Sequence, residues 1–320
     1  MLAAGRLSDR FGTRLVPIGL VLLGVSVMFP ALAGSVGVLV LLLLFVGVGT
    51  GLLDVAINAD ASRIESAFGV RVMNGLHAAF SFGVLVGGVS AGLLRRAGAH
   101  PSWILAVFGL VIVATAALNR SSGERMPSAP SRTRPGRNLL ILGGVLAIAF
   151  LVENGLEGWS ALFLERTFES SPAVSGLGPG LFAASMATAR LLGQRVANPS
   201  VTARMLFAGL SAAAGLALAS LADHAAVALL GFVVAGGGLA LSAPTLFGEA
   251  GRLGGEGGRG ASVSTVAIIG YLGFLAGPPL IGAVAGATSL RGGFVFLCAM
   301  ALLLAVCAPL LRRATGENPG

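Results

Sequence analysis

The feature that most constrains this chain is a succession of apolar runs separated by short polar breaks. A helix needs about 20 apolar residues to cross a lipid bilayer. Runs of that order fall near Leu15–Ala33, Val38–Asn58, Val72–Leu94, Ser102–Leu118, Leu139–Phe163, Val174–Leu192, Val201–Leu221, Ala225–Phe247, Ala261–Ala285 and Gly292–Leu311. They predict about ten transmembrane helices in an all-α, polytopic membrane protein. Only 11% of residues are charged, against about a quarter in soluble domains.

The chain has 21 basic residues, all arginine, and a net charge of +8. In a soluble protein that balance would suggest nucleic acid. Here the arginines lie between apolar spans, which reads as topology, and no nucleic-acid partner is expected. With ten spans and a cytoplasmic opening loop, 17 of the 21 arginines fall inside. The exceptions are Arg95, Arg96, Arg166 and Arg291. The positive-inside rule therefore puts the opening loop, the segment Arg120–Arg137 and the C-terminus on the cytoplasmic side of the membrane.

The segment Arg120–Arg137 is rich in Ser, Pro and Arg and has no apolar face, as expected of a flexible linker. It separates residues 1–119, a first helix bundle, from residues 138–313, a second bundle of six helices, with 314–320 as a tail. The 49 glycines suit close helix packing in lipid. Cys298 and Cys307 share one apolar segment and read as small core residues. Traces of a repeat relate the halves: Gly83, Gly87 and Gly92 match the spacing of Gly273, Gly277 and Gly282. Arg6-Leu7-Ser8-Asp9-Arg10 is echoed in Arg190–Arg195.

Near the start, Gly5, Asp9, Arg10, Gly12 and Arg14 form the pattern Gly-x-x-x-Asp-Arg-x-Gly-x-Arg. It resembles the loop between helices 2 and 3 of the major facilitator superfamily of transporters. In that family the aspartate caps a neighbouring helix end and the arginines clamp the cytoplasmic gate. Thr13 departs from the pattern, where a second basic residue is usual. The resemblance extends through Asp54–Ala59, His77–Gly83, Glu153–Ser160 and Gly270–Pro279, over almost the whole chain. It is to a bacterial inner-membrane branch near the sugar permeases, and it implies a two-bundle fold of twelve helices. The second half spends about fifty residues, Asn138 to Ala189, before its echo of the loop, and the first half spends Met1 to Ala4. On that comparison the first two helices are missing, through a truncated gene model or in a genuinely shortened protein.

Ionisable groups inside spans are costly and are functional candidates by default. Asp54 and Asn58 lie one helical turn apart, Glu153, Asn154 and Glu157 form a second cluster, and His77 stands alone. By the resemblance, these clusters sit on the fourth and seventh helices, which line the central cavity. There a carboxylate could bind and release a proton as access alternates, with Asp54 and Glu153 the first choices. The alternatives are a hydrogen bond from Asp54 to backbone or Asn58, an outer-mouth position near Trp159 for one of Glu153 and Glu157, and simple packing for His77. Gly273, Gly277, Pro278 and Pro279 form either a hinge or a close-packed face. Trp103 and Trp159 read as interfacial anchors.

Walker, zinc-protease and Gly-x-Ser-x-Gly signatures are absent, so no enzyme activity, cofactor or metal is expected. The resulting expectation is a secondary transporter, monomeric in the lipid bilayer. It would move a small solute by alternating access with protons as the coupling ion. A remnant or partner scaffold that does not transport is the alternative.

Overall fold

The computed structural model describes residues 14–68, 72–119, 136–193 and 200–316. Side chains at 55, 58, 59, 62, 63, 65–67, 73, 74, 77, 78 and 255–261 lie outside that description. The described chain is helical: α1 (Leu15–Val27), a 3-10 turn (Pro30–Leu32), α2 (Val36–Phe68), α3 (Met73–Arg96), α4 (Pro101–Leu118), α5 (Arg137–Thr167), α6 (Pro172–Gly193), α7 (Val201–Leu221), α8 (Ala225–Leu239), α9 (Ser242–Ala287), α10 (Leu290–Cys307) and α11 (Pro309–Thr315). Two compact units are present. One comprises Met1–Leu76 and Leu94–Pro130, the other His77–Leu93 and Ser131–Gly320.

In the first unit α1 packs on both α2 and α4. The reason is local: a Cβ on Gly24 would lie 2.7 Å from the Gly109 carbonyl, so only glycine lets these two backbones meet. Leu15, Val16 and Ala56 make a small core. Much of α2 keeps its apolar side chains outward, with Leu44 and Val48 exposed, as a lipid-facing surface requires.

The second unit is built around α5, which packs against α6, α9 and α10. Phe163, Phe182, Phe232 and Phe294 are fully buried, and Phe163 stacks on Phe294 with ring centroids 4.0 Å apart. Residues 77–93 of α3 join this unit through α6, where Gly88 meets the Gly176 carbonyl. Gly236 abuts Phe182 and Ser185, and Gly238 abuts Ser211, so these two glycines let α8 pack closely on its neighbours. Arg291 donates to the Ser220 carbonyl at 2.6 Å and lies over the Phe168 ring, which gives this exceptional arginine a structural role.

Among the described residues, eight helical stretches are long and apolar enough to cross a membrane. The two other expected spans coincide with α3 and α6, helices of 24 and 22 residues. Their small and polar residues lower their hydropathy but allow the backbones to approach each other. Two boundaries differ from expectation. The expected break between Phe247 and Ala261 is instead helical, and the chain breaks at Ala240–Leu241. Pro244 accounts for this, because its ring clashes with the carbonyl four residues earlier and it has no N–H to donate. Likewise Pro309 separates α10 from α11 within the expected last span. At 46 residues α9 extends about 69 Å, and Ser262–Ala287 is its membrane-length second part.

Candidate functional site

The candidate site forms on α5, where the helical period puts Phe150, Glu153, Asn154 and Glu157 on successive turns. Two glycines of α9 set its depth. A Cβ on Gly273 would strike the Ala147 carbonyl, and one on Gly277 would lie 2.8 Å from that of Leu151. The backbones of α5 and α9 therefore run close together, and Asn154 reaches across. Its Nδ2 donates to the Phe274 carbonyl at 2.6 Å. That carbonyl is the one Pro278 leaves without a partner, since residue 278 would normally donate to residue 274 and proline has no N–H. The helix runs unbroken through Pro278 and Pro279, with Asn154 replacing one missing hydrogen bond.

The same chemistry recurs at the α8–α9 break. Pro244 leaves the Ala240 carbonyl without its helical donor, and Arg190 Nε of α6 donates to it at 3.0 Å. Arg190 Nη1 reaches the Oγ of buried Ser81 on α3 at 3.4 Å. Arg190 Nη2 lies 3.6 Å from Glu153 Oε1, an ion pair rather than a hydrogen bond. The two charged side chains are 13% and 17% exposed. One guanidinium thus ties together α3, α5, α6 and the α8–α9 break, using the planar fork of donors that distinguishes Arg from Lys.

Aromatic side chains line the next turn of α5. Phe150 contacts Tyr271 at 5.5 Å and Phe274 at 5.9 Å between ring centroids, and Phe247 at 6.4 Å. Trp159 is half-buried, with its ring against Gly282 of α9, so its position is a packing one. Trp103, at the start of α4, is 73% exposed.

The other residues singled out from the sequence divide as follows. Glu153, Asn154 and Glu157 all lie in the second unit, where Glu153 pairs with Arg190 and Asn154 with the Phe274 carbonyl. Asp54 is half-buried on α2 in the first unit. The side chains of Asn58 and His77 lie outside the described residues, as do Gly5, Asp9, Arg10 and Gly12. Arg14 is exposed at the start of α1. The residue that sequence reasoning missed is Arg190, counted only as a topology signal and a repeat echo. The available clue was its place inside the apolar run Val174–Leu192 rather than beyond it. A second unforeseen cluster joins Glu249, Arg252 and the Thr315 carbonyl at the base of α11. An open cleft of about 320 Å³, lined by Thr167, Phe168, Glu169, Asp223 and His224, lies at the α5–α6 and α7–α8 turns. It is about 21 Å along α5 from Glu153 and holds none of the candidate residues.

The sequence profile of the Major Facilitator Superfamily matches residues 1–274, most of the chain. The chain belongs to the major facilitator superfamily. It is 33% identical over 272 residues to an uncharacterised MFS-type transporter of Yersinia pestis, covering 83% of this chain and 70% of that one. It is 29% identical to the membrane protein MosC of Rhizobium meliloti, covering all of this chain and 79% of MosC. Among solved structures, a bacterial homologue of the human lysosomal transporter Spinster, inward-facing and occupied, superposes with a TM-score of 0.69 at 17% identity. That match covers 96% of this chain and 84% of the homologue. The Escherichia coli fucose:proton symporter FucP gives 0.60 at 14% identity, covering 97% and 86%. The chain is therefore a multi-pass membrane protein with the major facilitator fold, and the Yersinia pestis relative is an MFS-type transporter.

Proposed function

We propose that this major facilitator is a secondary active transporter that moves a small solute by alternating access, coupled to protons. It sits in a bacterial plasma membrane as a monomer, with the Arg120–Arg137 linker and C-terminus in the cytoplasm. The observation that carries the reading is the Glu153–Arg190 pair. Two opposite charges, largely buried within membrane-length helices, touch helices α3, α5 and α6 and the α8–α9 break at once. Intramembrane charges of this kind are costly and mark solute or proton pathways. The acidic cluster of α5 supplies the proton site of the second unit in this reading, and Asp54, half-buried on α2, is a separate candidate in the first unit. The Phe150–Tyr271–Phe274 ring cluster supplies an apolar wall beside them. Gly273, Gly277, Pro278 and Pro279 serve as a hinge in which Asn154 holds the freed carbonyl.

The test uses the protein in proteoliposomes, offered a panel of labelled small solutes with and without an imposed proton gradient. One solute should accumulate only with the gradient and be lost when a protonophore is added. Transport indifferent to the gradient would refute proton coupling, and no transport of any solute would favour a scaffold role.

A further inference from the structure

We infer that Glu157 is the carboxylate that takes up and releases the transported proton, while Glu153 stays ionised as the fixed counter-ion of Arg190. This rests on the proton-coupled reading above and assigns the roles within it. Three observations carry it. Arg190 is held in place, because its Nε donates to the Ala240 carbonyl and its Nη1 to the Ser81 hydroxyl. A guanidinium does not deprotonate, so a permanent positive charge sits 3.6 Å from Glu153. A proton placed on Glu153 would leave that charge uncompensated in a largely buried site.

Glu157 lies one turn further along α5, about 6 Å by helical rise. It is half-buried, and among the described residues its carboxylate makes no hydrogen bond or ion pair. Among the described residues, the charged groups that act on it are Glu153, from its own helix, and Arg190, from α6. Two acids and one base leave a single negative charge in excess, and one proton neutralises it. The carboxylate that is not paired with the guanidinium is where that proton can reside at least cost, and it is half-buried rather than enclosed. The proton binds to a Glu157 oxygen, forming an O–H bond, and returns to water when that bond breaks. The trio thus alternates between one net negative charge and none, giving one proton per transport cycle.

The experiment is infrared difference spectroscopy of the purified protein in nanodiscs across a pH titration, reading the C=O stretch of protonated carboxyl groups. Proton flux is measured on the same preparations in proteoliposomes. Wild type should show a titrating band and move protons. Glu157→Gln, isosteric and uncharged, should lose that band and lose solute-coupled proton flux. The double variant Glu153→Gln with Arg190→Gln removes the ion pair without stranding the guanidinium, and it should keep the band. Loss of the band in the double variant, or in Asp54→Asn, with its retention in Glu157→Gln, would overturn the assignment. If wild type moves protons and Glu157→Gln moves them equally well, this inference fails and coupling stands. If wild type moves none, the coupling itself fails.

Discussion

Asn154 offers the sharpest test of how the site is built. Its Nδ2 takes the Phe274 carbonyl that Pro278 leaves without a helical donor. In Asn154→Ala that carbonyl loses its partner in a part of α9 packed closely on α5, where little water can replace it. Side-chain hydrogen bonds between membrane helices are worth about 0.6 kcal/mol on average and about 1.7 at most. The short, well-placed bond here should lie toward the upper end, about 1 to 1.5 kcal/mol. In Pro278→Ala the residue at 278 regains an N–H, and the unbroken helix directs it at the Phe274 carbonyl. Asn154→Ala introduced into that background should therefore cost much less. Unfolding of the four proteins in mixed micelles, as a function of denaturing detergent, gives the double-mutant cycle. A coupling of about 1 kcal/mol is expected. Additive effects, within about 0.3 kcal/mol, would mean that Asn154 and Pro278 are not linked through this carbonyl.

Further outcomes follow from particular contacts. Gly273→Ala should destabilise the protein by about 1–3 kcal/mol, because the new Cβ meets the Ala147 carbonyl; Gly144→Ala, where a Cβ meets nothing within 4 Å among the described residues, should be neutral or stabilising by up to about 1 kcal/mol. Equal effects on thermal stability in detergent would show that the α5–α9 approach is looser than described. Arg190→Ala should cost about 2–3 kcal/mol, at or below the usual range for breaking a buried pair because both partners keep some exposure. The combined Glu153→Gln and Arg190→Gln variant should cost less than its single changes summed, and simple additivity in the same unfolding assay would argue against the pair. With Cys298 and Cys307 replaced by Ala, cysteines at Ser8 and Ser128 should resist a membrane-impermeant thiol reagent on intact cells; strong labelling of either would reverse the proposed orientation.

Much of this protein is legible without a structure because the bilayer imposes so few solutions. Span length, helical backbone satisfaction and the bias of arginine toward one side are local properties of the chain, and they identify the all-α, polytopic class and most helix positions. The acids and amide on α5 also announce themselves, since a charged or polar group inside an apolar run is costly enough to need a reason. What the sequence could not show is which polar groups meet. Arg190 lies 37 positions from Glu153 and 50 from Ala240, and its partners are set by how four chain segments pack. Likewise, Pro278 and Pro244 can be read as helix disruptors, yet only the packing assigns Asn154 and Arg190 to the carbonyls they free. Glycine spacing shows the same limit: Gly273 and Gly277 press on α5, while a Cβ on their repeat counterparts Gly83 and Gly87 would meet nothing within 4 Å among the described residues. A local rule specifies what each segment can do in lipid, but a hydrogen bond between helices depends on distances that only the assembled fold determines.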